Sequence, residues 1–329
     1  MKKLTELLAL NKQDGQFGIE IEVEGRNLIT LNDQYWTTEQ DNSLRNGLEY
    51  VLTKPVKLIN VKKLLNYLKK KLDVNKAELD FSFRTSVHVH VNVQDLTYNQ
   101  ILNMIYTYLL IEAPLMNFCG DSRKGNRFCL RIEDAEGMVD SLITMFEEGE
   151  RGLNNIPRDR MRYAAINVEA LGKYGSIEFR AMQGCMDVNR ITNWCHILNK
   201  IKSFAIKFDN PSDIFNFYTK EEGETFFNAV LEEEAQDLFT KDTVKDIQRN
   251  FSLTLDLPFA YSKNIKKEVQ PVVVKKPVYD VFAAMMAAEV PRKIVARARI
   301  VAEQEEYVPP VRGIRKLVIK KDNQPVGAW

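Results

Sequence analysis

The fold of this chain is decided by the stretch Phe17-Gly18-Ile19-Glu20-Ile21-Glu22-Val23-Glu24-Gly25, in which acidic and aliphatic residues alternate. Successive side chains of a β-strand point to opposite faces, so the stretch predicts a strand with one aliphatic face and one face of carboxylates. Carboxylates in one row repel each other. They either lie in water on an edge strand, where the repulsion is weak, or bind hard cations such as Mg²⁺.

The composition is that of an ordinary globular protein. The chain has 329 residues, of which 45% are hydrophobic and 28% charged, and its formal net charge is +1. This balance argues against a generally basic nucleic-acid binder, so nucleic acid is not an expected partner. Residues 1–10 are too few and too polar for a signal peptide, and no run of about eighteen apolar residues predicts a membrane span. We therefore expect a cytoplasmic protein without a membrane partner.

Hydrophobic periodicity divides the first 263 residues into helices and strands. Spacings of three and four residues predict amphipathic helices, and alternation predicts strands. The predicted helices cover 3–11, 56–72, 98–118 with an interruption near Pro114, 137–148, 187–208 and 221–239. The predicted strands cover 36–44 with a final turn, 47–53, 83–93, and a hairpin of 162–168 and 176–182. The polar segment 149–159 is predicted to be a mobile loop.

A second strongly alternating strand carries two of the three histidines of the chain. Within 83–93, four valines form an apolar face, and His88 and His90 lie two residues apart on the polar face. A lone histidine in a strand is usually structural, whereas a pair on one polar face indicates a site.

Acidic side chains recur on two other predicted strands. Glu49 lies between apolar residues in strand 47–53, and Glu178 shares a face with Arg180 in strand 176–182. An exposed ion pair is the plainer interpretation of Glu178 and Arg180. If the strands form one antiparallel sheet whose other face packs on helices, these polar groups converge on a single surface. The predicted fold class is therefore α+β, with one face of the sheet covered by helices and the other forming an active site.

The common glycine-rich phosphate loops are missing from the sequence. It contains neither GxxxxGK[ST] nor GxGxxG after a predicted strand. Any phosphate must then be bound by metal ions and side chains rather than by a loop of backbone amides. Carboxylates and imidazoles suit two or three Mg²⁺ ions, and Arg180 could join those ions on the phosphates of a nucleotide.

Four pieces of sequence occur together in a characteristic order. They are Gly18-Ile19-Glu20-Ile21-Glu22, Asp41-x-Ser43-Leu44 followed by Gly47-Leu48-Glu49, His88-Val89-His90-Val91, and Asn167 leading to Ile177-Glu178-Phe179-Arg180. In this order, over about residues 17–200, the chain resembles the amidoligase family of the glutamine synthetase/glutamate-cysteine ligase superfamily of carboxylate-amine ligases. Members occur in bacteria, fungi and phages, and a phage-encoded chain would lie in the host cytoplasm or the virion. One departure is Thr85-Ser86, where relatives commonly carry glycine or another small residue.

The resemblance implies a glutamine synthetase-like catalytic domain that is an ATP-dependent ligase. In such a reaction a substrate carboxylate attacks the γ-phosphate of ATP, and an amine then displaces phosphate from the acyl phosphate to form an amide. The implied cofactors are ATP and Mg²⁺, and the implied partners are a small-molecule or peptide carboxylate and an amine.

The resemblance also assigns roles to individual residues. The implied metal ligands are Glu20, Glu22, Glu49, His88 and Glu178. The implied cofactor-binding residues are His90, on metal or phosphate, Arg180, on the transferring phosphoryl group, and Asn167, which would orient a carboxylate. Asp41 is the second catalytic candidate beside Arg180, to position substrate or deprotonate the amine. The plainer roles are a turn cap for Asp41 and strand hydrogen bonding for Asn167.

Two other functions fit parts of the sequence. One is a zinc-dependent hydrolase built on His88, His90 and a glutamate, although the excess of glutamate favours Mg²⁺. The other is a structural or assembly protein, such as one of a phage particle, that keeps the sheet.

The assembly alternative rests on the predicted division of the chain into a domain of residues 1–263 and a tail of residues 264–329. From residue 266 onward the chain carries 13 Lys and Arg against 7 Asp and Glu, whereas the rest carries 33 against 38. The tail is predicted to be a linker, over 266–277, and a helix, over 281–306, that together could bind a protein partner.

Overall fold

The computed structural model describes residues 1–134, 136–155, 163–221 and 223–268. Within them the chain forms an α+β fold, as the sequence predicts. Its single sheet has seven strands, of which the short β4 was not predicted. The strands are β1 (Phe17–Arg26), β2 (Trp36–Glu39), β3 (Gly47–Leu52), β4 (Glu78–Asp80), β5 (Ser86–Asn92), β6 (Ile166–Asn167) and β7 (Ser176–Gln183). The α-helices are α1 (Leu4–Leu7), α2 (Leu58–Val74), α3 (Tyr98–Cys119), α4 (Glu136–Glu148), α5 (Ala170–Tyr174), α6 (Val188–Ala205), α7 (Pro211–Glu221), α8 (Gly223–Leu231), α9 (Ala235–Leu238), α10 (Thr243–Thr254) and α11 (Asp256–Glu268).

The sheet is antiparallel and runs in the order β2-β3-β1-β5-β7-β6, with β4 paired to the end of β1. Its aliphatic face follows the alternation in the sequence. Ile19, Ile21 and Val23 of β1 are buried, as are the valines of β5, and they join the same hydrophobic core as α3 and α6. The alternate side chains of the same strands consequently face away from the helices.

The longest helix, α3, is the centre of the helical layer. It begins at Thr97, whose side chain accepts a hydrogen bond from the backbone amide of Gln100, and the Gln100 side chain accepts one in return from Thr97. The predicted interruption at Pro114 is wrong, because α3 continues through this residue to Cys119. By length and hydropathy alone α3 could cross a membrane, but 83% of its most apolar window is buried inside the protein. Such burial is typical of a core helix.

The sequence predicts two other regions less well, because turn residues hide short helices. The hairpin of β6 and β7 is present, but its connection is the helix α5 rather than a simple turn. The predicted mobile loop begins as a 3-10 helix over Gly149–Asn155, and residues 156–162 lie outside the described residues. The predicted helix over 221–239 consists of α8, a 3-10 turn and α9.

The end of the described chain differs from the predicted domain boundary. Helix α11 runs across residue 263 to Glu268, and its Leu257, Ala260 and Tyr261 are buried. The chain divides after Gln270. Most of the predicted linker and the whole predicted helix 281–306 lie outside the described residues, so these remain predictions.

Candidate functional site

Pairing of neighbouring strands places the polar side chains predicted for the site next to each other on the face away from the helices. The pairs that face each other across the strands are Glu22 with Glu49, Glu20 with His88, and His90 with Glu178. Residues that face each other in antiparallel strands point to the same side of the sheet. We call these six side chains together with Arg180 the site cluster.

Glu20 lies at the centre of the site cluster. One carboxylate oxygen is 3.2 Å from Nδ1 of His88, and the other is 3.1 Å from Nε2 of His90. Burial alone would raise the pKa of Glu20, but hydrogen bonds to both imidazoles outweigh it and lower the pKa well below its usual value. The pKa of His90 is raised, since its bond to Glu20 outweighs the effect of its own burial. The side chain of Glu20 is therefore a carboxylate anion that lies between the imidazole rings of His88 and His90.

The hydroxyl of Ser86 connects Glu22 to His88. Ser86 Oγ lies 2.5 Å from Glu22 Oε2 and 2.7 Å from His88 Nε2. In the sequence, Ser86 is singled out only as a departure from the family pattern. A serine in a strand does not by itself indicate a functional site. Its position shows that it orients both a predicted metal ligand and the neighbouring imidazole.

Glu178 is held by two donors. Asn167 Nδ2 donates to its Oε2 at 2.8 Å, and Arg180 Nη1 donates to its Oε1 at 2.5 Å. Burial would raise the pKa of Glu178, but the charge of Arg180 and the two imidazoles lowers it. Asn167 thus positions a carboxylate of the protein, and a contact with substrate remains a prediction. Arg180 Nε is buried without a hydrogen-bond partner.

Glu49 shows that the site cluster holds more carboxylates than its own cations can neutralise. Burial, followed by the charges of Glu20 and Glu22, raises the pKa of Glu49 to about 9. The charge of Asp41 adds to this shift. A glutamate that remains protonated at neutral pH among other carboxylates indicates a place where a cation would be favourable.

The donor set of the site cluster suits a hard cation. Two groups of side chains have ligand atoms within 4.8 Å of one another, namely Glu20 with His90 and Glu178, and Glu20 with Glu49 and His88. The two groups share Glu20, and each contains two carboxylates and one imidazole. Such oxygen-rich sets fit Mg²⁺ or Mn²⁺ better than zinc. Glu22 lies beside the second group, 3.8 Å from His88.

A cavity of about 580 Å³ opens beside Glu20 and His90. We call it the lysine cavity, because Lys54 and Lys173 line it together with Gly18 and Tyr174. Lys173 Nζ lies 4.5 Å from the centroid of the Tyr174 ring. The sequence does not indicate that Lys173 and Tyr174 belong to a site, because the segment Gly172-Lys173-Tyr174-Gly175 is typical of a turn rather than of the wall of a cavity.

Two predicted site residues are not members of the site cluster, namely Asn167, which is hydrogen-bonded to Glu178 within it, and Asp41. Asp41 instead stabilises its own turn. Its Oδ1 accepts a hydrogen bond of 2.7 Å from the backbone amide of Ser43, so it caps a turn after β2. Its charge still reaches Glu49, as the pKa of Glu49 shows.

Comparison with known proteins gives a family match over most of the strands that carry the site cluster. A family model described as "putative amidoligase enzyme" matches residues 38–202. The match includes every residue of the site cluster except Glu20 and Glu22, which β1 brings against the matched strands β3 and β5. No curated protein matches the chain. Because the matched region covers half of the sequence, the chain belongs to the amidoligase family.

Proposed function

We propose that this protein is an ATP- and Mg²⁺-dependent carboxylate-amine ligase that forms an amide bond through an acyl phosphate. The observation that carries the proposal is the site cluster beside the lysine cavity. Four carboxylates, two imidazoles and one guanidinium lie together in this cluster. Two of these side chains, Glu20 and His90, line a space that is large enough for a small molecule. Membership of the amidoligase family supports a ligase in general terms.

The residues that would hold Mg²⁺ are Glu20, Glu22, Glu49, His88 and Glu178. Mg²⁺ in such a site neutralises phosphate oxygens and the charge that develops during phosphoryl transfer. The chain's own residues prepare this site, because Ser86 fixes Glu22 and His88 while Asn167 fixes Glu178. Partners of this kind commonly change metal affinity or activity by about 10- to 100-fold when removed.

The nucleotide would occupy the lysine cavity with its phosphates towards Glu20 and His90. Two lysines, Lys54 and Lys173, supply positive charge where the sequence lacks a glycine-rich phosphate loop. His90, with its raised pKa, can donate to a phosphate oxygen. Gly18 leaves room above this imidazole, since a Cβ at Gly18 would lie 3.3 Å from the Cβ of His90.

The proposed reaction has two steps that conserve atoms. In the first, an oxygen of the substrate carboxylate bonds to the γ-phosphorus of ATP, the bond from that phosphorus to the bridging oxygen breaks, and ADP leaves. In the second, the amine nitrogen bonds to the acyl carbon, inorganic phosphate leaves, and the amine loses one proton. Arg180 would stabilise the transferring phosphoryl group, since its guanidinium lies on Glu178 and its Nε is unpartnered. Asp41 remains a candidate to position substrate or to accept the proton.

The other two functions receive less support from this geometry. A zinc hydrolase would use His88 and His90 on one ion, whereas each candidate metal group among the described residues contains one imidazole. An assembly role depends on the tail, of which all but residues 264–268 lie outside the described residues. This role remains a prediction, as do a phage origin and a cytoplasmic or virion location.

The test is phosphate release from ATP, with Mg²⁺ and mixtures of acids and amines. We expect release that requires both a carboxylate and an amine and that falls at least 100-fold in Glu20→Gln and Arg180→Ala. A matched control is Glu78→Gln, which changes an exposed strand glutamate outside the site cluster and should retain full activity. If no mixture supports release and calorimetry shows no Mg²⁺-dependent binding of ATP, the proposal is wrong.

A further inference from the structure

A second cavity, of about 480 Å³, shares none of its lining residues with the lysine cavity. It is lined by Asp41, Ser43, Arg84, Arg127, Phe128 and Tyr163. We call it the arginine cavity. Neither the family resemblance nor the proposed reaction gives it a role beyond that of Asp41.

Aromatic rings support both guanidinium groups of the arginine cavity. Arg84 Cζ lies 5.5 Å from the ring centroids of Phe83 and Phe128, and Arg127 Cζ lies 4.8 Å from that of Phe128. Arg84 Nη1 donates to the carbonyl of Ser43 at 2.7 Å, which fixes the guanidinium further. Its Nε is buried without a hydrogen-bond partner. Guanidinium groups packed in this way are oriented in advance to bind a planar anion.

The guanidinium groups of Arg84 and Arg127 also form no ion pair with a carboxylate of the described residues. Among the described residues, the arginines within 4.0 Å of a carboxylate are Arg131, Arg180 and Arg249. Asp41 lines the same cavity but uses one oxygen for its own turn. The arginine cavity therefore offers two unpaired positive charges, in contrast to the excess of carboxylates in the site cluster.

The arginine cavity adjoins the end of the site cluster that is opposite to the lysine cavity. Arg84 precedes Ser86 by two residues, and the Ser86 hydroxyl is bonded to Glu22. The charge of Asp41 raises the pKa of Glu49, the residue facing Glu22. The lysine cavity, by contrast, meets β1 at its other end, from Gly18 to Glu20. The two cavities thus lie on either side of the groups that would hold the metal.

Hydrogen bonds fix the wall of the arginine cavity to the sheet. The buried Arg123 donates through Nη2 to the carbonyl of Arg180 at 2.9 Å and to that of Phe128 at 3.4 Å. Asn126 Nδ2 donates to the carbonyl of Phe83 at 2.7 Å. The rings that support the guanidinium groups are therefore tied to the strand that carries Arg180.

We propose that the arginine cavity binds the carboxylate substrate, and that this substrate is an acid with a second anionic group, carboxylate or phosphate, at its far end. The reacting carboxylate would lie towards the site cluster, and the second anion would pair with Arg84 and Arg127. A monocarboxylic acid would leave both guanidinium groups without a partner and would bind more weakly. The identity of the occupant as a substrate rests on the proposed function.

The test is calorimetric titration of the full chain, without nucleotide, with acids of matched length. The probes are dicarboxylates of about four to eight carbons, phosphate-bearing carboxylates such as 3-phosphoglycerate, and monocarboxylates. Arg84→Gln and Arg127→Gln should each weaken binding of the preferred dianion about tenfold or more, because a charge-assisted pair is lost. Comparison of the first two probe sets shows which second anion is preferred. The control is Arg26→Gln, an exposed arginine at the end of β1, and thermal melting confirms that the variants fold.

Binding of ATP with Mg²⁺, measured on the same proteins, separates this inference from the proposed function. We expect both arginine variants to bind ATP within about twofold of the wild type. If ATP binds but monoanions and dianions bind alike, or both arginine variants keep the wild-type affinity for dianions, the inference is overturned while the ligase proposal stands. If dianions bind in an arginine-dependent way but ATP does not bind, the acid-binding cavity stands and the ligase proposal fails.

Discussion

At the scale of single residues, the half-buried Glu49 and the buried Glu112 show how the surroundings of a carboxyl group decide its effect. Glu49 is surrounded by other carboxylates, and burial together with their charge raises its pKa to about 9. Glu112 lies in the core on α3, where burial raises its pKa to about 8 although it accepts a hydrogen bond from the amide of Ile132. The raised pKa of Glu49 arises partly from repulsion between neighbouring carboxylates, which a bound cation would reduce. The raised pKa of Glu112 belongs to a carboxyl group in the core, away from the site cluster, so it appears as a dependence of stability on pH.

The prediction for Glu112 follows from proton linkage. Below the ordinary value of 4.5 the carboxyl is protonated in both the folded and the unfolded chain, and it costs no stability. As the pH rises towards 8, the unfolded chain ionises first, so Glu112 should lower the free energy of unfolding by about 1.4 kcal/mol per pH unit. Above the folded pKa the effect levels off.

Urea unfolding of the wild type and Glu112→Gln at pH 5.5, 6.5 and 7.5 measures this contribution. The glutamine can still accept from Ile132 but cannot ionise, so the variant should gain stability relative to the wild type at each higher pH. Parallel curves for the two proteins would contradict a raised pKa. Glu78→Gln, at an exposed position, should run parallel to the wild type.

At the scale of elements, side-chain amides connect helices that are far apart in sequence. Asn103 of α3 donates through Nδ2 to the carbonyls of Ala205, at 3.2 Å, and Phe208, at 2.8 Å, where α6 ends. Asn250 of α10 donates to the carbonyl of Leu109 on α3 at 2.9 Å. Each bond gives a carbonyl a side-chain donor that a hydrophobic residue in place of the asparagine would not supply.

Asn103→Ala should therefore destabilise the protein by about 1 to 3 kcal/mol, because it removes the side-chain donor to the Phe208 carbonyl and opens a small cavity. The Ala205 carbonyl loses the same donor but keeps the backbone amide of Phe208. Asn99→Ala, on the same helix but only half-buried, should cost less than about 0.5 kcal/mol. Denaturant unfolding provides both values. Since Asn103 lies on the helical side of the sheet, Mg²⁺ binding measured below the unfolding transition should be the same in both variants. Equal stability of the two variants would show that water replaces the lost bonds.

Individual helices and strands differ in how well the sequence predicts them. Strands β1 and β5 were predictable because aliphatic and polar side chains alternate without interruption, and one face of each is buried. Helix α10 was missed because three of its five buried residues, Thr243, Asn250 and Thr254, are polar and are buried through hydrogen bonds that the sequence does not show. Helix α5 was missed because Gly172 and Gly175 are typical of turns.

The residues of the candidate site could be named from the sequence, but the contacts between them could not. Each member of the site cluster stands on the polar face of a predicted strand, yet only the register sets Glu20 between two imidazoles. The register depends on pairing between strands that lie far apart in the chain. Ser86 and Lys173 were missed for a related reason, since a hydroxyl or an ammonium becomes part of a site only through what lies opposite it.

At the scale of the whole molecule, the described domain extends beyond the boundary that charge and composition suggest. Helix α11 packs on α4 and α7, and the side chain of its Asn264 lies where a Cβ on Gly149 would be. A cut after residue 263 would remove part of this helix. A cut after Glu268 would leave it whole.

Truncation therefore tests where the catalytic domain ends. A chain of residues 1–268 should melt within about 3 °C of the full chain and bind Mg²⁺ and ATP with the same affinity, since every residue of the site cluster and of both cavities is retained. A chain of residues 1–255 should lose several kcal/mol of stability, because Leu257, Ala260 and Tyr261 no longer cover their neighbours. Thermal melting and calorimetry are measured on the full chain, on residues 1–268 and on residues 1–255. Weaker nucleotide binding by residues 1–268 at an unchanged melting temperature would assign part of the site to the basic tail, and the tail could then no longer be treated as an arm for a separate partner.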